Sequence, residues 1–342
     1  MNKRIISVIF LIVALFFSSC YVPVTEDAPK KVSDEAVFHF IDVGQGDSIL
    51  IQSDDKNILI DAGTSENGST VYQYLKKLNV DYIDYFIGTH PHEDHLGGAS
   101  SVLSSIDTGT VFLNGDSSSS FFYEKFIDTL IKKNINSQIP DTDCKYEIGP
   151  FRITFLSPQR DFGNANDNSL VFTVEFGEIK ALFTGDAERS VEAELIKNKR
   201  AIDADILKVG HHGSRYASSS AFLNAVSPSV SVIQCGEGNS YGHPHDEAIN
   251  RLEEISSVLR TDIDGTIILK TDGKAIKEAS GEEFELAEKT ADLEVIYIAN
   301  KKSKVFHSEA CPNLPSDKNR KDFSSREEAV NSGYKACGNC NP

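Results

Sequence analysis

The stretch Thr89-His90-Pro91-His92-Glu93-Asp94-His95-Leu96-Gly97-Gly98 places three imidazoles and a carboxylate within six residues, directly behind the apolar run Ile83 to Ile87. Core packing gives no reason for such a cluster, because every buried polar ring needs a partner. A solvated loop gives none either. Imidazole and carboxylate donors suit zinc or manganese, and four of them on one turn can be divided between two ions. Two ions held this way can bind a phosphoryl or carbonyl oxygen, lower the pKa of a bridging water and clamp the reacting group. The turn therefore belongs at the mouth of a strand, in a hydrolytic site.

The rest of the chain fits a two-part globular protein. Its 342 residues are 40% hydrophobic and 25% charged, enough to bury a sizeable core. Asn2-Lys3-Arg4 and the uncharged run Ile5 to Phe17 have the form of a signal peptide, too short to span a bilayer comfortably. Phe17-Ser18-Ser19-Cys20 resembles a bacterial lipobox, so residues 1–19 are expected to be removed and Cys20 lipidated. Residues 20–35 then form a polar tether. From Ala36, short strands alternate with helices: strands near 37–41, 48–51, 57–60 and 83–87, helices over 70–78 and 96–103. Further strands are expected at 151–155, 170–176, 180–183, 206–209, 230–234 and 266–269. That alternation predicts a layered α/β domain over 36–275. An acidic linker (276–292) and a small second domain (293–342) follow.

Four more motifs accompany the histidine turn. They are Ile41-Asp42-Val43-Gly44-Gln45-Gly46-Asp47-Ser48, Leu59-Ile60-Asp61-Ala62-Gly63, Leu182-Phe183-Thr184-Gly185-Asp186-Ala187-Glu188 and Leu207-Lys208-Val209-Gly210-His211-His212-Gly213-Ser214. Together the five resemble the metallo-β-lactamase superfamily, and within it the extracellular hydrolase domain of ComEC-type DNA-internalisation (competence) proteins. The resemblance covers about Ala36 to Lys274 and implies a four-layer αββα sandwich. It also implies His90 and His92 on one metal, Asp94 and His95 on the other, and Asp186 bridging. One of His211 and His212 completes the set; the assignment adopted puts His212 on metal and turns His211 toward substrate. Asp94 can also orient the attacking hydroxide.

Many superfamily members carry one more histidine between the turn and the bridging aspartate. Here Asn166-Asp167-Asn168-Ser169-Leu170 stands instead. Asn168 is taken as a catalytic candidate, beside a role for both asparagines in turn chemistry. Tyr241-Gly242-His243-Pro244-His245 is expected at the same rim, where the resemblance implies that His243 binds phosphate or protonates a leaving group. His39 is expected to be structural, and Asp47 and Asp61 to tie neighbouring loops. Cys144 and Cys235 are left open as a pair.

Near the C-terminus, His307-x3-Cys311 and Cys337-x2-Cys340 offer a full tetrahedral donor set for one structural zinc. Disulfides are the alternative. A unit this small lacks the core to fold without such a staple. Lys304-Val305-Phe306-His307, Cys311-Pro312 and the segment Arg326 to Cys337 resemble the Ada-type metal-binding domain, with His307 at that family's first cysteine.

The resemblance implies an extracellular metal-dependent hydrolase, a phosphodiesterase or nuclease acting on DNA through a metal-activated hydroxide. A phosphoesterase for cell-wall or small-molecule substrates and a non-catalytic binding lipoprotein are the alternatives. Net charge is −17, and loss of Lys3 and Arg4 with the leader takes it to −19. Such a field repels a phosphate backbone, so tight binding of nucleic acid over the whole surface is not expected. Residues 295–342 carry 8 Lys/Arg against 5 Asp/Glu, a mild opposite bias. The expected membrane contact is the lipid anchor alone, without channel helices; oligomeric state is not legible.

Overall fold

The computed structural model describes residues 35–279, 297–307, 311, 313–338 and 340. The expected signal peptide, the expected lipobox with Cys20, nearly all the expected tether and the expected linker from residue 280 lie outside the described residues.

Alternation of side chains along the first strands sets up the layers. In β1 (Ala36–Phe40) the residues Ala36, Phe38 and Phe40 join the core between the two sheets, whereas His39 points the other way and its Nδ1 lies 2.9 Å from the Tyr74 hydroxyl. β2 (Ile49–Ser53), β3 (Lys56–Ile60), β4 (Tyr82–Gly88), β5 (Asp107–Leu113) and β6 (Asn136–Gln138) extend this sheet. The chain then crosses to a second sheet of β7 (Lys145–Ile148), β8 (Phe151–Ser157), β9 (Val171–Phe176), β10 (Ile179–Phe183), β11 (Ile206–Lys208), β12 (Val230–Ile233) and β13 (Ser257–Arg260). β14 (Ile267–Thr271) and β15 (Ile276–Glu278) return to the first. The strand orders are β15-β14-β1-β2-β3-β4-β5-β6 and β13-β12-β11-β10-β9-β8-β7.

One apolar core fills the space between the sheets, with Phe38, Phe40 and Phe112 meeting Phe151, Phe155, Phe172 and Phe183. A second lies between the first sheet and helices Gly68–Lys77, Ala99–Ser105 and Phe121–Lys133. A third lies between the second sheet and helices Arg189–Lys197, Ser220–Val226 and Asp246–Glu253. The result is the helix–sheet–sheet–helix sandwich. Among the described residues no helix is long and apolar enough to cross a membrane.

Three local differences from the sequence expectations have physical causes. The helix expected over 96–103 is two, Glu93–Leu96 and Ala99–Ser105. A side-chain carbon on Gly98 would sit 2.1 Å from the Ala62 carbonyl, so only glycine admits this backbone approach, and the Gly98 amide bonds to the Gly63 carbonyl at 3.0 Å instead of continuing the helical ladder. Lys277 and Glu278, expected in the linker, close the first sheet by pairing with β14. Cys235 is a free thiol buried in the third core, so it does not pair with Cys144.

Burial is the largest influence on His39 and holds its imidazole down at about 3, with Lys270 adding to the effect and Gln52 opposing it. Between pH 6.5 and about 3 the unfolded chain takes up a proton that the folded chain refuses. This contribution to stability is therefore complete above pH 6.5 and falls by about 1.4 kcal/mol per pH unit as pH drops through that window. Urea unfolding at pH 7 and pH 5 should show the slope reduced by one proton in His39→Gln; an unchanged slope would mean that His39 is not the group responsible.

The C-terminal unit is a four-stranded sheet, β18-β16-β17-β19, from β16 (Tyr297–Asn300), β17 (Val305–His307), β18 (Arg320–Phe323) and β19 (Lys335–Ala336), with the helix Arg326–Asn331. Among the described residues its apolar cluster holds six, including Phe306, Phe323 and Tyr334.

Candidate metal centre

β4 runs parallel to β3 and β5, and β11 parallel to β10 and β12. Loops after these strands thus leave from one edge of each sheet, the usual place for a site in parallel sheets. The turn 89–95 follows β4, Asp186 follows β10, and Gly210–Gly213 follows β11. In that last turn His211 and His212 both adopt left-handed backbone, at φ 47° and 51°. This conformation is uncommon for non-glycine residues and costs of order 1–3 kcal/mol each. It splays the consecutive rings, whose planes meet at 67°. His212 is buried and donates from Nδ1 to the Gln234 carbonyl at 2.9 Å, which leaves Nε2 facing inward. His211 stays half-buried, its Nδ1 2.7 Å from Glu188 Oε1.

Two donor groups share Asp186. One donor atom each from Asp94, His95, Asp186 and His212 lie mutually within 4.8 Å, as do donors of His90, His92 and Asp186. In the first group the His95 Nε2–Asp186 Oδ1, His212 Nε2–Asp186 Oδ1 and His212 Nε2–Asp94 Oδ2 separations are 3.3, 3.5 and 3.2 Å. A tetrahedron of ligands roughly 2.0–2.1 Å from a zinc ion has edges of roughly 3.3–3.4 Å. In the second group His90 Nε2 lies 3.0 Å from His92 Nδ1 and 3.7 Å from Asp186 Oδ2. His95 Nε2, His212 Nε2 and Asp186 Oδ1 are buried without a hydrogen-bond partner. Orphaned atoms of this kind are costly unless something else satisfies them. The donor set therefore fits divalent metal.

Beneath the donors lies a second layer of polar contacts. Asp61 Oδ2 takes hydrogen bonds from His95 Nδ1 (2.8 Å) and Thr89 Oγ1 (2.7 Å), while Oδ1 takes the Thr89 amide. This fixes the ring so that Nε2 points at Asp186. Asp47 Oδ2 pairs with the buried Lys208 ammonium at 2.7 Å, and Oδ1 lies 3.3 Å from His212 Nδ1. The loop carrying Asp47 presses on the Asp94 backbone: a side chain at Gly46 (φ 140°) would meet the Asp94 carbonyl at 2.3 Å. Asp61→Ala should weaken metal binding about 10- to 100-fold, read by competition with a chromophoric chelator. Unchanged affinity would show that His95 needs no such support.

Charge in the site is concentrated to match. Burial opposes a proton on His212, but Asp186 and Asp47 outweigh it and raise its pKa to about 10. His95 is likewise raised against burial, by Asp186 and Asp61. Asp186 is held well below the usual carboxylate range, against burial, by His212 and His95. In a metal-free chain protons occupy the place of cations, so metal uptake must release them.

The donors open into a cleft of about 360 Å³ lined also by Gln45, Asn166, His211, Tyr241 and His243. Asn168, the catalytic candidate, is not among the lining residues. Its Oδ1 accepts from the Phe162 amide and its Nδ2 donates to Asp116 and Asp161, which uses the side chain to hold loops. Its neighbour Asn166 takes the cleft position, Nδ2 3.4 Å from His211 Nε2. His243 lies against His211 with ring centroids 5.3 Å apart; burial, then His211 and His212, lower its pKa to about 4. Sequence reasoning named Asn168, left Asn166 open between turn chemistry and a role in the site, and gave no role to Glu188, Gln45 or Lys208. The only signal for Glu188, Gln45 and Lys208 was their place inside the quoted motifs.

In the C-terminal unit, donor atoms of His307, Cys311, Cys337 and Cys340 lie within 4.8 Å of one another. His307 Nδ1 is 3.2 Å from Cys311 Sγ, and none of the three sulfurs is in a disulfide. The Cys337 amide bonds to the Phe306 carbonyl, which brings the last motif beside β17.

Residues 41–237 match the family model of the metallo-beta-lactamase superfamily. The chain belongs to this superfamily. Residues 285–342 match the metal binding domain of Ada. Over 256 residues the superfamily domain is 29% identical to the ComE operon protein 3 of Bacillus subtilis, covering 69% of this chain and 33% of that protein. It is 30% identical over 244 residues to the competence protein ComA of Neisseria gonorrhoeae, covering 70% of this chain and 33% of that one. The chain thus spans about a third of the length of these curated relatives. Among solved structures, the metallo-beta-lactamase fold protein YhfI from Bacillus subtilis superposes with a TM-score of 0.50 at 16% identity, covering 70% of this chain and all of that one. That likeness shows the fold.

Proposed function

We propose that this metallo-beta-lactamase superfamily member is a phosphodiesterase that cuts DNA outside the cell. His90, His92 and Asp186 would hold one divalent metal, zinc or manganese, and Asp94, His95, Asp186 and His212 a second. The observation that carries the reading is the pair of donor groups sharing the two oxygens of Asp186. Bound there, such metals supply Lewis acidity and a water acidified to neutral pH. The chain's own groups do the rest. Asp61 and the Gln234 carbonyl fix the tautomers of His95 and His212. Glu188 orients His211, whose Nε2 sits 3.8 Å from Asp186 Oδ2 at the cleft wall, placed to hold a phosphoryl oxygen together with Asn166. His243 packs edge-on against His211 on the same wall.

The choice of DNA follows the competence proteins named above, while the acidic net charge favours a small diester instead. The chain from residue 20, carrying Cys20→Ser, should be tested on linear DNA and on bis(p-nitrophenyl) phosphate with zinc or manganese, beside Asp94→Ala. Metal-dependent cutting of DNA that disappears in the variant is the expected result. Turnover of the small diester alone would favour a wall or small-molecule phosphoesterase, and turnover of neither a binding protein. Lipidation at Cys20 would place the site at the cell surface; the full-length Cys20→Ser variant should then leave the membrane fraction. The C-terminal donors would hold one structural zinc.

A further inference from the structure

Apart from Tyr241, every residue lining the cleft is an imidazole, a carboxylate or an amide. Those groups suit metals and an anionic ester, and none offers a flat apolar face. Tyr241 does, and it is 65% exposed. Phe121 and Tyr216 are similarly open elsewhere on the surface, so exposure alone assigns no role; what sets Tyr241 apart is its place on the cleft wall and its stacking on a cleft histidine. Its ring stacks on His243 with an interplanar angle of 22° and centroids 5.8 Å apart. His243 in turn packs against His211, so the platform joins the metal-facing wall directly.

The loop under the platform is fixed before any ligand arrives. Asn239 Oδ1 accepts from the amides of both Tyr241 and His243 at 3.1 Å, and its Nδ2 donates to the Gly236 and His243 carbonyls. One side chain thereby sets the spacing of the two stacked rings, which lowers the ordering cost of binding. A cleft of about 360 Å³ lies at the small end of ligand sites and suits a single nucleotide unit.

We propose that Tyr241 is a stacking platform for a nucleobase, so that the cleft selects phosphodiesters carrying a planar aromatic base. The assignment rests on the diester reading of the site above. Aromatic–base stacking tolerates any base, as a nuclease without sequence preference requires.

The test is calorimetric and independent of turnover. Thymidine 5′-monophosphate and methyl phosphate are each titrated into the metal-loaded full chain and into Tyr241→Ala and Tyr241→Phe. The wild type should bind the nucleotide more tightly than methyl phosphate. Tyr241→Ala should weaken the nucleotide by roughly 5- to 100-fold and leave methyl phosphate unchanged. Tyr241→Phe keeps the ring and should stay within about twofold of wild type. Equal weakening of both ligands, a Tyr241→Phe variant as weak as Tyr241→Ala, or a wild type without preference for the nucleotide would each overturn the assignment. A wild type that hydrolyses no diester would defeat the proposed activity while leaving this binding comparison decisive.

Discussion

Asp186→Ala should lower metal-dependent diester hydrolysis by at least about 10³-fold, more than the loss of a single stabilising donor normally causes. The reason is its double duty. Oδ1 faces His95 and His212, Oδ2 faces His90, and among the described residues no other carboxylate belongs to both groups. Removing it also takes away the charge that most strongly offsets burial at His95 and His212. Asp186→Asn keeps the side-chain volume, and the hydrogen bond that the residue's backbone N–H donates to Ser169 Oγ is untouched. It should therefore retain the fold while losing activity to a similar degree. Full activity in either variant, measured on bis(p-nitrophenyl) phosphate in excess metal, would remove Asp186 from the mechanism.

Cys337→Ser should unfold the C-terminal unit and leave the hydrolase domain standing. An apolar cluster of six among the described residues supplies little stabilisation, whereas a structural zinc contributes about 10–16 kcal/mol to folding of comparable modules. Loss of one of four donors forfeits much of that. Amide exchange should become fast in peptides from 297–307 and 313–338, with peptides from β1 to β14 unchanged and hydrolysis retained. Protection in the C-terminal peptides equal to wild type would show that the sheet holds without metal.

What the sequence discloses depends on how local the cause is. The turn 90–95 is legible because ligand spacing on a single turn is a property of consecutive residues, and Asp186 and the His211–His212 pair because each closes a strand. The layers are legible through short strands alternating with helices along 36–275. The choice between His211 and His212 is not, since it rests on two left-handed residues and on the Gln234 carbonyl, supplied by the loop after β12. Asn168 illustrates the same limit: two asparagines two residues apart look alike in sequence, and only the surrounding loops decide that Asn166 faces the cleft while Asn168 braces Asp116 and Asp161. Lys208 reads as one polar residue in a short strand, but the fold buries it on Asp47 beneath the donors. The break at Gly97 and Gly98 goes with the Gly98 amide's bond to the Gly63 carbonyl, distant in sequence.

The most direct test of the dinuclear site is the metal content of the purified chain by elemental analysis, compared with Asp186→Ala and Cys337→Ser. Three metals per wild-type chain are expected, with about one left in Asp186→Ala and two in Cys337→Ser. A wild-type chain that holds a single metal, lost in Cys337→Ser and kept in Asp186→Ala, would contradict the account: the cleft would then carry no metal.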